Sequence, residues 1–204
     1  MDRDRWNRLL AALGIGDESQ CFDALLAAYS EKHRHYHTSR HIDHCLREFD
    51  SATSLAREPA EVELALWFHD AIYDPHSSKN EERSADWACE LLTRHHASAE
   101  RVSRVRDHIL ATRHEAVASD ADSRLVVDID LSILGVDETA YAQFEVNVRR
   151  EYRWVPSLLF RRKRAEILES FLARPQIYTT ELFRERYERQ ARHNLSQAIE
   201  RLRG

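Results

Sequence analysis

Apolar residues recur at three- and four-residue spacing along nearly the whole chain, the signature of helices that each bury one face. The pattern predicts amphipathic helices over residues 6–13 and 21–29, separated by Gly14, Gly16 and Asp17 and resembling a helical hairpin. Ile42, Cys45, Leu46 and Phe49 continue a third helix, and residues 62–73 form a fourth, apolar on nearly every side and therefore expected at the centre. Ser78-Lys79-Asn80-Glu81 matches a capping box, in which serine and glutamate satisfy each other's free backbone donors, and opens a helix through Leu92. Further helices are expected over about residues 98–112, 125–134 with Gly135 as a stop, and 137–152, then from Pro156 to Pro175, and finally over about 180–202. Residues 126–130 alternate apolar and acidic side chains and could form a short strand, but their continuation through Leu134 favours a helix.

Composition agrees with an all-α fold: the 204 residues include only 4 glycines and 4 prolines, too few for the many turns of a sandwich or barrel. With no repeat, low-complexity tract or linker, one domain spanning 1–204 is expected. A net charge of -5 gives no broad attraction to nucleic acid or anionic membrane, so any affinity for phosphate must come from a local site. The amino terminus lacks the form of a secretory signal and no stretch approaches a spanning helix, which predicts a cytoplasmic protein. Cys21, Cys45 and Cys89 are odd in number and sit within apolar helical patterns, so they read chiefly as buried thiols. The basic run Arg161-Arg162-Lys163-Arg164 reads as a solvated helix face.

The chemistry concentrates in the twelve histidines and a few acids. Five histidines fall between His33 and His44, and His37, His41 and His44 are spaced for neighbouring positions on a helix. Taken singly, His33, His35 and His44 read as exposed or core-satisfied residues. His69 and Asp70 follow Leu64, Ala65, Leu66, Trp67 and Phe68, a setting in which an imidazole and a carboxylate are costly to bury without a partner. A bound cation removes that cost. Asp128 and Asp130 pose the same problem among Val, Ile and Leu, and only one of them need face a site.

As a set, these segments resemble the HD superfamily of metal-dependent phosphohydrolases, whose signature is a histidine, then a His-Asp pair, then an aspartate. The strings RHYHTSRHI, LALWFHDAIYDP, NEERSA and DIDLSILG resemble a bacterial group of predicted HD phosphohydrolases, over about residues 25–175. The resemblance implies an HD-type helical bundle around a central divalent metal, with His41, His69, Asp70 and Asp130 as ligands and Asp130 preferred to Asp128. Two imidazoles and two carboxylates suit Mn, Fe, Co, Ni or Zn, and Mg is a further candidate. Such an ion would polarise a phosphoryl oxygen and activate water, so the implied substrate is a small phosphorylated metabolite, nucleotide-like, rather than a nucleic acid or a membrane. Around the metal, His37 is a candidate proton donor, Glu81 a water-orienting group or a cap, and Asp74 a neighbour of Asp70 on the same helical face. His114, and behind it His108, are candidates for a second metal or a phosphate contact. The competing readings are a di-iron oxygenase on the same scaffold and a binding module clipped by its metal.

Overall fold

The computed structural model describes residues 1–115, 118 and 120–204; these are helical, with no strand among them. They group into two compact units, residues 1–129 and 130–204, with the division falling inside one helix.

In the first unit, α1 (Arg3–Leu13) is capped by the Asp2 carboxylate and ends at Gly14, whose φ of 73° is one that a residue without a Cβ adopts freely. It is followed by α2 (Ser19–Ala28), α3 (Ser39–Asp50), α4 (Pro59–Phe68), α5 (Asn80–Arg94), α6 (Ala99–Ala111) and α7 (Ala121–Asp130). As the unbroken apolar pattern anticipates, α4 is the hub: α1, α3, α5 and α6 all pack on it, and Leu64 to Phe68 are fully buried. Trp6, Phe22, Trp67 and Phe68 form an aromatic cluster with ring separations of 5.3–6.4 Å, and the Tyr29 hydroxyl donates to the Trp67 carbonyl. The one acid buried in α4, Glu61, accepts hydrogen bonds from Arg101 and Arg104 of α6, which neutralise it. The Asp122 carboxylate near the start of α7 accepts the Arg57 and Glu58 amides just ahead of α4.

Two expectations fail here for non-local reasons. The fourth helix stops at Phe68 rather than Tyr73, so His69 and Asp70 occupy the turn that leaves it and Asp74 is a loop residue. The capping box does not form: α5 starts at Asn80 and no side chain caps it. Instead Asn80 holds the loop, accepting from the Asp74 amide and donating to the Asp74 carbonyl, each at 3.0 Å.

The second unit begins with the last residue of α7 and a 3-10 turn, Leu131–Gly135, then α8 (Glu138–Glu151) and α9 (Ser157–Leu172). The expected last helix is interrupted. A short α10 (Glu181–Phe183) passes into a π-helical stretch, Arg184–Glu188, before α11 (Arg189–Arg203). Gly135 lies against that stretch: a Cβ on it would come within 2.5 Å of the Tyr187 Cβ, so only glycine permits the approach. Buried Asn194 ties α11 to the 3-10 turn through the Leu134 and Val136 carbonyls. The basic run is less solvated than expected, since Arg164 is sequestered with Glu145 and Arg161 donates to the Leu202 carbonyl.

Candidate metal centre

His69 is the first residue past the end of α4, and its Nδ1–H donates to the Leu66 carbonyl at 2.9 Å. That bond means that the neutral ring carries its lone pair on Nε2. His41, in the first turn of α3, brings its own Nε2 to 3.0 Å from this atom, and the Asp70 Oδ2 lies 3.3 Å from both nitrogens. Two imidazole nitrogens and a carboxylate oxygen thus converge within a triangle of 3.0–3.3 Å. Donors about 2.1 Å from one ion stand roughly 3.0 Å apart at right angles and roughly 3.4 Å apart at tetrahedral angles, so these edges fit a single transition metal. His41 and His69 are buried, whereas the Asp70 side chain keeps 17% of its exposure and marks the open side.

A wider group of donors is formed by His41, Cys45, His69 and Asp130, whose ligand atoms lie within 4.8 Å of one another and could hold a metal ion. Asp130 reaches this group as the last residue of α7. Asp128, two positions earlier, is fully buried, and a separation of two residues turns it about 200° around the helix from Asp130.

Electrostatics match the geometry. Burial alone would raise the Asp70 carboxyl, but the charges of His69 and His37 and hydrogen bonds from His41 and His69 hold it well below the usual carboxylate range. That is the metal-free arrangement, with the ring protons partnering the carboxylate; a cation binding there would displace them and leave neutral imidazoles as ligands.

The turn carrying Asp70 is gripped from two sides. Arg34, only 4% exposed, donates from Nη1 to the Asp70 carbonyl at 2.7 Å and to the His37 carbonyl at 3.2 Å, and from Nη2 to the Ala71 carbonyl at 2.9 Å. Its Nε donates to Glu31, and its guanidinium packs over the Tyr29 and Tyr73 rings. From the other side, the Ser84 hydroxyl of α5 accepts the Ile72 amide, one turn along from Asn80 on the 74–80 loop. The last carbonyls of α4 are met by His69 Nδ1, the Tyr29 hydroxyl and the Ala71 amide, so Arg34 holds the turn that follows the helix and not the helix end itself.

The remaining candidates divide clearly. His37 lines the centre, its ring stacked on Tyr73 at 4.1 Å and set edge-on to His41 at 6.0 Å. His33 is a structural partner of the same tyrosine, donating from Nε2 to the Tyr73 carbonyl. Glu81 lies in the first turn of α5 at 4.0 Å from Arg113, outside the donor group. His114 follows α6 with a φ of 58° and is likewise outside the group. His108 is held at the opposite end of α7: its Nδ1 pairs with the Ser123 hydroxyl at 2.8 Å, seven residues before Asp130 and so about 10 Å away along the helix. Its Nε2 is buried without a hydrogen-bond partner among the described residues, and burial lowers its pKa.

Sequence reasoning passed over Arg34 and treated Cys45 as core. The signal for Cys45 was present, since a cysteine four residues after a candidate ligand on a helix shares its face. Comparison with family models, with curated proteins and with solved structures gave no match. The site is therefore read from its own geometry. No helix among the described residues is long and apolar enough to cross a membrane.

Proposed function

We propose that this chain is a metal-dependent phosphohydrolase of the HD type, acting on a small phosphorylated, nucleotide-like metabolite. The observation that carries the reading is the triangle of His41 Nε2, His69 Nε2 and Asp70 Oδ2, with edges of 3.0, 3.3 and 3.3 Å and one partly exposed corner. Two lone-pair nitrogens do not face each other so closely without a shared proton or a cation between them. An ion there would be held by His41, His69, Asp70 and Asp130, and when bound would supply Lewis acidity and a water of lowered pKa. The donor set leaves coordination positions free on an octahedral ion, the arrangement a catalytic site needs and a structural clip does not.

The chain's own residues have separable tasks in this reading. His69 is kept in the ligating tautomer by the Leu66 carbonyl. Arg34, Asn80 and Ser84 keep the turn from moving as charge builds on the substrate. His37, pinned on Tyr73 beside the donors, is the proton donor within reach of a leaving group entering from the Asp70 side. The test is phosphate release from a panel of nucleotides and sugar phosphates with Mn, Co, Ni, Zn and Mg. Activity should appear with at least one metal and fall by about 10³-fold or more in Asp70→Ala. A variant as active as the wild type at equal metal content would place the chemistry elsewhere.

A further inference from the structure

The two histidines of the centre are shared by two different third donors. Asp70 offers a hard carboxylate oxygen at 3.3 Å from each Nε2, while Cys45, one turn beyond His41 on α3 and fully buried, offers a soft sulfur. The Cys45 Sγ is 3.7 Å from His41 Nδ1 and 3.8 Å from Nε2. Being equidistant from the two ring nitrogens, it lies alongside the imidazole and not in front of the Nε2 lone pair. An ion about 2.1 Å out from Nε2 would therefore be roughly 4 Å from this sulfur, well beyond a zinc–sulfur bond of about 2.3 Å. Cysteine has a single side-chain torsion, and a step between staggered positions carries its sulfur about 3 Å, enough to close that gap.

We infer that Cys45 is a conditional ligand. His41, His69 and Asp130 are common to a hard donor set completed by Asp70 and a soft set completed by Cys45, and the metal's own chemistry selects between them. Mn or Mg, which favour oxygen, takes the carboxylate and leaves the thiol beside His41. Zn, Cd or Co draws the sulfur in; the thiol proton leaves to solvent as the metal–sulfur bond forms. The soft set of two imidazoles, a thiolate and a carboxylate is a closed tetrahedral shell, the form typical of structural sites, so thiophilic ions bind more tightly but in a less open centre. This inference rests on the metal-centre reading above, and the two can fail separately.

The experiment is a Co(II) titration of the metal-free full-length chain, followed by visible d–d bands and by the near-ultraviolet sulfur-to-cobalt charge-transfer band. Both should grow together to one equivalent. In Cys45→Ser the d–d bands should remain and the charge-transfer band vanish, with Cd affinity reduced at least about tenfold and Mn affinity changed by no more than about twofold. Cobalt bound with d–d bands but no charge-transfer band in the wild type overturns the role of Cys45 and leaves the centre standing. No cobalt bands at all overturns the centre, and this inference with it. Should Cys45→Ser not fold, the double variant Cys21→Ala, Cys89→Ala decides: retention of the band assigns it to Cys45, and its loss refutes the assignment.

Discussion

Replacing Arg34 by alanine removes a side chain that reaches three carbonyls of the site's framework, those of His37, Asp70 and Ala71. Hydrogen bonds from a charged donor contribute about 1.5–3 kcal/mol each, and a buried acceptor left without a partner costs about 1–3 kcal/mol. Water entering the vacated volume recovers part of this, so the expected loss is about 3–5 kcal/mol of unfolding free energy. For a chain of this length that corresponds to a fall in melting temperature of about 6–20 °C, measurable by far-ultraviolet circular dichroism. Lysine should not rescue it, because an ammonium cannot present the planar fork that spans Asp70 and Ala71. Metal affinity, followed by Mn titration of the folded variant below its transition, should drop about 10–100-fold, since the carboxylate at position 70 loses its fixed origin. A variant that melts within about 2 °C of the wild type would refute the reasoning, showing that the turn after α4 is held by something other than this guanidinium.

Gly135→Ala should destabilise by at least about 1–3 kcal/mol in urea unfolding, because its Cβ would fall 2.5 Å from the Tyr187 Cβ and 2.8 Å from the Tyr187 carbonyl oxygen; an unchanged midpoint would show that the π-helical stretch yields. His108 is buried with a lowered pKa, so the unfolded chain takes up its proton first and stability falls as pH drops below about 6.5, levelling off once the folded form also protonates. The stability–pH slope in that window should be shallower in His108→Gln, and equal slopes would count against the assignment. Asp70 has the opposite character: its carboxyl is depressed on folding, so its contribution is present in full above about pH 4 and is lost as pH falls through the lower folded value. Asp70→Asn should therefore reduce the acid sensitivity of the metal-free protein in urea titrations. Chelation should lower the melting temperature while leaving the helical signal largely intact; collapse of that signal on metal removal would favour a structural clip.

The helical character of nearly every segment could be read directly from spacing, because one buried face per helix writes itself into the sequence. Where that reading overshot, a distant residue had intervened. Ala71-Ile72-Tyr73 continues the apolar pattern of α4, yet the helix ends at Phe68, and nothing within those residues announces the guanidinium of Arg34, which donates to the Asp70 and Ala71 carbonyls. Ser78 to Glu81 has the local form of a capping box, but Asn80 is recruited to Asp74 across the loop. The π-helical stretch reflects the same limit, since it depends on the approach of Gly135, some fifty residues earlier. In the site, His69 and Asp70 were legible because their apolar surroundings made them expensive. Cys45 was not, because a buried thiol is at home in a core and raises no such question.

At positions 70 and 71 Arg34 grips the turn by its backbone carbonyls and not by the side chains. The position that carries the Asp70 carboxylate is thus mechanically independent of what the residue there is. A different side chain at position 70 would be presented at the same place and angle, with its own affinity for metal. The scaffold behaves as a socket, in which the donor chemistry can be exchanged, by drift or by design, without first having to be refolded.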